Sequence, residues 1–144
     1  MTQAAISFYT GAAEKFRTAC LLANKAMQSG LRVLILTPDE AATAALDRML
    51  WTYPGIAFMP HGRLSGDLTL PVLVDHQLST ALPHQQVLIN LCPATPDCFG
   101  QFARVIEIVG QDDDDKQAGR ARFAAYREGG LTPVHFDLSK NEGV

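Results

Sequence analysis

The sequence predicts an α/β layer structure, one domain built on a mainly parallel sheet flanked by helices, and three observations lead there. Its 144 residues, 47% of them hydrophobic, suffice to bury one core and fall short of two ordinary domains. Short apolar runs alternate along the chain with stretches of helical period. One such run, Leu31 to Leu36, is apolar at almost every position, as suits a strand covered on both faces.

Taken in order, Ala4 to Tyr9 reads as a strand rich in β-branched and aromatic residues, stopped by Thr10-Gly11. Apolar positions then recur at Phe16, Ala19, Cys20, Ala23, Ala26 and Met27, predicting an amphipathic helix closed by Ser29-Gly30. After the Leu31–Leu36 strand, Thr37-Pro38-Asp39-Glu40 provides a cap, a proline near the first helical position and acids facing the positive helix end. The stripe of that second helix is Ala42, Ala45, Leu46, Met49 and Leu50. Tyr53 to Pro71 is dominated by turn formers, with Ile56 to Met59 as a short strand inside it. Val72–Val74 and Val87–Leu91 are further strands, separated by a polar connection containing His76, Pro83 and His84. Phe99–Phe102 reads as one or two helical turns and Arg104–Val109 as a strand. Asp112–Asp115 places negative charge where a helix begins; with Lys116 it spells a protease tag, but it leads straight into a patterned helix and is read as native. That helix carries Ala118, Ala121, Arg122, Ala125 and Tyr126 and stops at Gly129-Gly130; Leu131–Phe136 closes the sheet, and the last residues are expected to be loose.

Composition narrows the function. A net charge of -3 and a pI near 5.7 oppose a surface that grips phosphate throughout, so little or no direct DNA binding is expected. Met1–Tyr9 lacks the features of a secretory signal and no apolar run reaches the roughly 18 to 20 residues that span a bilayer, so a cytoplasmic protein without membrane contact is expected. Cys20, Cys92 and Cys98 form no C-x-x-C pair, and His61, His76, His84 and His135 lack metal-ligand spacing; reduced thiols and no metal site follow. A lone Gly11 after the first strand is not a dinucleotide or phosphate-loop signature, and no catalytic motif stands out. No cofactor is expected. The alternative function class, a small nucleotide- or cofactor-dependent enzyme, would have its site near Gly11.

Two constellations suit partner binding. Trp51, Tyr53, Pro54, Phe58, Pro60 and His61 crowd aromatic rings into a proline-rich loop, where they serve either as interface anchors or as core packing. On the last helix Arg120, Phe123 and Arg127 recur at i, i+3, i+7, with Arg122 and Tyr126 nearby. That face could seat a peptide ending in an aromatic residue and a free carboxylate, or it could be a solvated face balancing the acidic run.

These residues also carry a family resemblance. Ile6-Ser7-Phe8-Tyr9, Ser29-Gly30-Leu31-Arg32-Val33-Leu34-Ile35, Leu50-Trp51 followed by Pro54, Phe58, Pro60 and His61, and the run from Ala121 to Gly130 resemble the chi subunits of bacterial DNA polymerase III over nearly the whole chain. The resemblance implies a Rossmann-like three-layer domain over residues 1–144 without enzymatic activity. It also implies two partners: the psi subunit of the clamp loader, and the acidic C-terminal tail of single-stranded-DNA-binding protein. By position, Trp51, Pro54, Phe58, Pro60 and His61 match the region engaging psi or a helicase, with Phe58 foremost. Val109, Arg120, Phe123 and Arg127 match the tail site; Arg120 would hold the terminal carboxylate while Phe123 and Val109 line the pocket for the final aromatic side chain. Family members often carry Lys directly after this aromatic and Tyr in its place, where this chain has Ala124 and Phe123. One cation fewer predicts tail binding that is weaker, slightly displaced, or more dependent on Arg122 and Arg127.

Overall fold

A computed structural model describes residues 3–53, 59–78 and 82–139. In chain order these form β1 (Ala5–Ala12), α1 (Lys15–Gln28), β2 (Val33–Leu36), α2 (Glu40–Thr52), β3 (His61–Gly62), β4 (Val72–Asp75), β5 (Val87–Asn90), a 3-10 turn (Phe99–Gln101), β6 (Arg104–Gly110), α3 (Asp113–Glu128) and β7 (Val134–Asp137). The strands make one sheet in the order β3-β4-β2-β5-β6-β1-β7, and every pairing among the described residues is parallel.

Side-chain alternation divides the sheet into two faces. Val33, Ile35, Val72, Val74, Val87, Ile89, Ile106 and Ile108 point to one side, where they meet Ala19, Cys20, Leu22 and Ala23 of α1 and Leu46 and Leu50 of α2. Ile6, Phe8, Leu34, Leu73, Leu88, Val105 and Val109 point to the other, under Phe102 and Tyr126, with Phe123 packed against them. Central strands are apolar at both parities because both faces are covered, one by α1 and α2 and the other by α3, the 3-10 turn and loop side chains such as Leu64, Leu70 and Leu82, which is why β2, β4 and β5 read as largely apolar runs. The result is the three-layer α/β domain expected.

The local signals operate with some shifts in register. Asp39 caps α2, its Oδ1 accepting from Ala42 N at 2.8 Å, so Pro38 lies before the cap and not inside the helix. Asp112 caps α3 by accepting from Asp115 N at 2.8 Å, and Asp113, Asp114 and Asp115 fill the first turn. β1 continues past Thr10-Gly11 to Ala12: Gly11 takes φ +72 and the ladder to β6 shifts register there, so this glycine bulges the strand without ending it. The two-residue β3 was not predicted; Ile56, Ala57 and Phe58 of the expected strand lie outside the described residues, and Met59 is buried without joining the sheet. Among the described residues no helix is long and apolar enough to cross a membrane.

Candidate functional site: a groove between the third helix and the sheet edge

α3 lies over β6 on one face of the sheet, and β7 extends the sheet past β1 beside it. A groove of about 740 Å³ opens between them. Phe8 and Val109 form its floor; Gly119, Arg120, Phe123 and Lys116 line the helix side, and Thr10, His135 and Asp137 the strand side. Val109, Arg120 and Phe123, three residues expected together from the sequence, therefore share one cavity. Phe123 is half-buried, its ring 5.1 Å from that of Phe8, and Arg120 is exposed with no ion-pair partner among the described residues. Opposite, Thr10 Oγ1 and His135 Nε2 share a hydrogen bond of 2.6 Å. An uncommitted guanidinium beside an apolar floor can take a carboxylate and an adjoining hydrophobic side chain together.

Close approach of α3 to the sheet depends on Gly119. A Cβ there would stand 2.8 Å from Val109 Cγ2, inside any real contact distance, so only glycine lets the helix lie this low. At its start the helix is tied down by Asp115, which accepts from Gly110 N at 2.5 Å and Lys15 Nζ at 3.1 Å.

Arg127 lies beyond Phe123, in a separate hollow of about 400 Å³ with Gly130, Leu131, Thr132 and Pro133. The structure thus parts the two arginines with the Phe123 ring. Arg122 departs from expectation: it is 2% exposed and faces the sheet, not solvent. Its Nε donates to Glu107 Oε1 at 2.9 Å and its NH1 to Pro93 O at 2.9 Å. Tyr126 OH donates to Glu107 Oε2 at 2.7 Å, and Asn90 Nδ2 to Glu107 Oε1 at 2.9 Å. Burial raises the Glu107 pKa, opposed by the Arg122 charge and by the Tyr126, Asn90 and Arg122 hydrogen bonds. All three neighbours present donors to the carboxylate, an arrangement made for its ionised form. The helix position of Arg122 did not disclose this. The signal was in β6, where a lone glutamate inside Val105-Ile106-Glu107-Ile108-Val109 must be matched by a buried cation.

The second constellation divides differently. Trp51, at the end of α2, is 57% exposed. Its ring lies tilted against that of His61, centroids 4.6 Å apart, and the His61 side chain is fully buried, not the surface contact expected of an interface residue. His61 Nδ1 bonds Met59 O at 2.9 Å, and Nε2 approaches Asp47 Oδ1 at 3.1 Å. Pro60 is half-buried. Pro54 and Phe58 lie outside the described residues.

Near Gly11, where an enzyme of this architecture would bind phosphate, a Cβ would meet Ser139 at 3.0 Å, and Gln111 Nε2 donates to Gly11 O at 3.1 Å. Glu14, a carboxylate, stands at the N-terminus of α1 without capping it. Neither feature makes a phosphate cradle. All three cysteines are free thiols; Cys20 is buried and Cys92 and Cys98 half-buried, and burial pushes Cys20 up to about 12 and Cys92 up to about 11. They are not poised as nucleophiles.

Residues 1–134 match the family described as DNA polymerase III chi subunit, HolC. Three proteins named DNA polymerase III subunit chi are similar. That of Pseudomonas aeruginosa is 37% identical over 119 residues, 81% of each chain. That of Escherichia coli (strain K12) is 33% identical over 115 residues, 78% of each. That of Haemophilus influenzae is 34% identical over 112 residues, 76% of this chain and 77% of the relative. With one family covering residues 1–134 and this identity spread over three quarters or more of each relative, the chain belongs to the DNA polymerase III chi subunit family.

Proposed function

We propose that this chi-family chain is a non-catalytic adaptor of the cytoplasmic replisome, linking the clamp-loader complex, through psi, to the C-terminal tail of single-stranded-DNA-binding protein. The observation that carries the reading is the groove itself, in which Arg120 stands unpaired among the described residues beside Val109 and Phe123. Arg120 takes the terminal carboxylate of the tail, and the final aromatic side chain packs on Val109 and Phe123. The acidic residues ahead of it face Lys116 and Arg120. Psi, or a helicase in its place, docks at the other edge of the sheet, where Trp51 offers an exposed ring. No step of this role requires a cofactor or direct contact with DNA.

The test is a titration of a labelled acidic peptide ending in Phe with a free carboxylate, against the protein and its Arg120→Ala variant, at low and moderate salt. Saturable binding is expected, weakened by about 2 kcal/mol or more in the variant and falling as salt rises. Absence of binding by the unaltered protein would remove the tail from its partners.

A further inference from the structure

We propose that Glu107 is a positioning residue for the groove: by holding Arg122 and Tyr126 from below, it sets the rotation of α3 and thereby where Arg120 and Phe123 stand. The proposal rests on the reading of the groove as the tail site. Glu107 accepts from Arg122 Nε, Tyr126 OH and Asn90 Nδ2 and is fully buried. Arg122 and Tyr126 are one turn apart, so two successive turns of α3 are bonded to one carboxylate on β6. Asn90 extends the cluster to the loop after β5, its Nδ2 donating to Ala94 O at 3.1 Å while its Oδ1 accepts from Cys92 N at 3.0 Å. Arg122 NH1 meets Pro93 O in the same loop.

Helix geometry connects this cluster to the groove. At 3.6 residues per turn, the side made by Gly119, Arg122 and Tyr126 and the side made by Arg120, Phe123 and Arg127 point about 100° apart around the axis. Side chains reach about 5 to 6 Å from the axis, so a roll of about 20° carries a groove residue about 2 Å sideways. Binding sites need their groups held to about 0.5 Å. Apolar packing tolerates repacking, because hydrophobic side chains of similar volume substitute for one another. Directional bonds to a buried charge do not, since each displacement leaves a donor or the carboxylate unpaired. The ring cluster adds a lever: Tyr126 lies edge-on to Phe8 at 5.9 Å and Phe123 tilts on Phe8 at 5.1 Å, so a shift at Tyr126 reaches the groove floor.

Two variants separate positioning from stability. Tyr126→Phe keeps the ring and the Arg122–Glu107 pair and removes one donor. The double variant Glu107→Leu/Arg122→Met replaces the buried pair by apolar groups of similar length, so no charge is stranded, while the Tyr126 hydroxyl loses its Glu107 acceptor. The readouts are the melting temperature, the affinity for the Phe-terminated acidic peptide, and the Phe8–Phe123 ring contact followed by NMR. Tyr126→Phe is expected to bind about threefold to tenfold more weakly, and the double variant at least about tenfold more weakly although it still folds and melts cooperatively. A double variant that folds and binds like the unaltered protein overturns the proposal; if it fails to fold, unchanged binding by Tyr126→Phe does so. If the unaltered protein does not bind the peptide, the tail reading fails, and an unchanged Phe8–Phe123 contact in the variants overturns the positioning role independently.

Discussion

The two candidate surfaces occupy opposite edges of one sheet and are built in opposite ways. At the β7 edge the surface is concave, and the ionisable groups beneath it, Glu107 and Arg122, are locked in the interior. At the β3 edge an exposed Trp51 ring stands against the buried His61. Six inter-strand steps separate β3 from β7, about 29 Å at roughly 4.8 Å per step. α2 and α3 also cover opposite faces. A groove with an exposed guanidinium suits a chain terminus that enters it, whereas an exposed ring suits a partner that receives it. The distance allows both to be occupied at once, as the proposed adaptor role requires.

The buried pair should give the largest single effect. Arg122→Ala strands the Glu107 charge in the interior and is expected to cost about 3 to 5 kcal/mol of stability, measured by denaturant unfolding. At the other edge Asp47→Asn should cost less than about 1 kcal/mol, because the Asp47 side chain is 38% exposed. Equal losses would show that the two edges are not differently built. Gly119→Ala comes next. Overpacking against Val109 costs about 1 to 3 kcal/mol and the helix preference for Ala returns about 1. A net loss of at most about 2 kcal/mol is expected, with peptide affinity falling by more than stability because α3 rises off the groove floor. An Ala variant that binds the peptide normally would mean that the height of α3 does not matter.

A smaller effect tests independence. Trp51→Ala removes a ring contact worth about 0.5 to 1.5 kcal/mol, so it should lower stability slightly and abolish the psi interaction in a pull-down of purified partners. Affinity for the tail peptide should stay within about twofold, as for well-separated sites. A larger change would break the picture of two independent edges.

Much of this arrangement is legible in the sequence because it is written in period and punctuation. The apolar runs at Leu31, Val72, Val87 and Arg104 became β2, β4, β5 and β6, since strands covered on both faces have no alternative to being apolar. The i, i+3, i+7 spacing on α3 placed Arg120 and Phe123 in one groove. What escaped were features that pairwise tertiary contacts decide. Two residues of β3 are too few to show a period. Arg122 and His61 look like surface residues by type; Arg122 is held inside by Glu107 on β6, and His61 by Met59 O two residues before it and by Asp47 of α2. Gly119 belongs to no turn or motif in the sequence, although its missing side chain sets the depth of the helix. Of the residues read at helical spacing on α3, Arg122 and Tyr126 turn inward with Gly119, while Ala121 and Ala125 are exposed.

Two buried carboxylates sharpen the comparison most finely, since they should respond to pH with opposite sign. Asp75, at the end of β4, is pushed up by burial but more strongly held down by hydrogen bonds from His76 N and Leu64 N and by the Arg63 and His76 charges, so its pKa is lowered. Its contribution is present above the ordinary value of 3.8 and is lost as pH falls through the lowered one. Glu107 is raised by burial, so its contribution is complete below the ordinary 4.5 and is lost as pH rises through the folded value. Unfolding free energies measured across this acid range should therefore lose their low-pH fall in Asp75→Asn and their decline above pH 4.5 in Glu107→Leu/Arg122→Met. If both variants flattened the same limb, the two edges would be holding their carboxylates by the same means. The contrast between a cavity anchored on a buried ion pair whose desolvation is only partly offset and an edge braced by backbone donors would then fail.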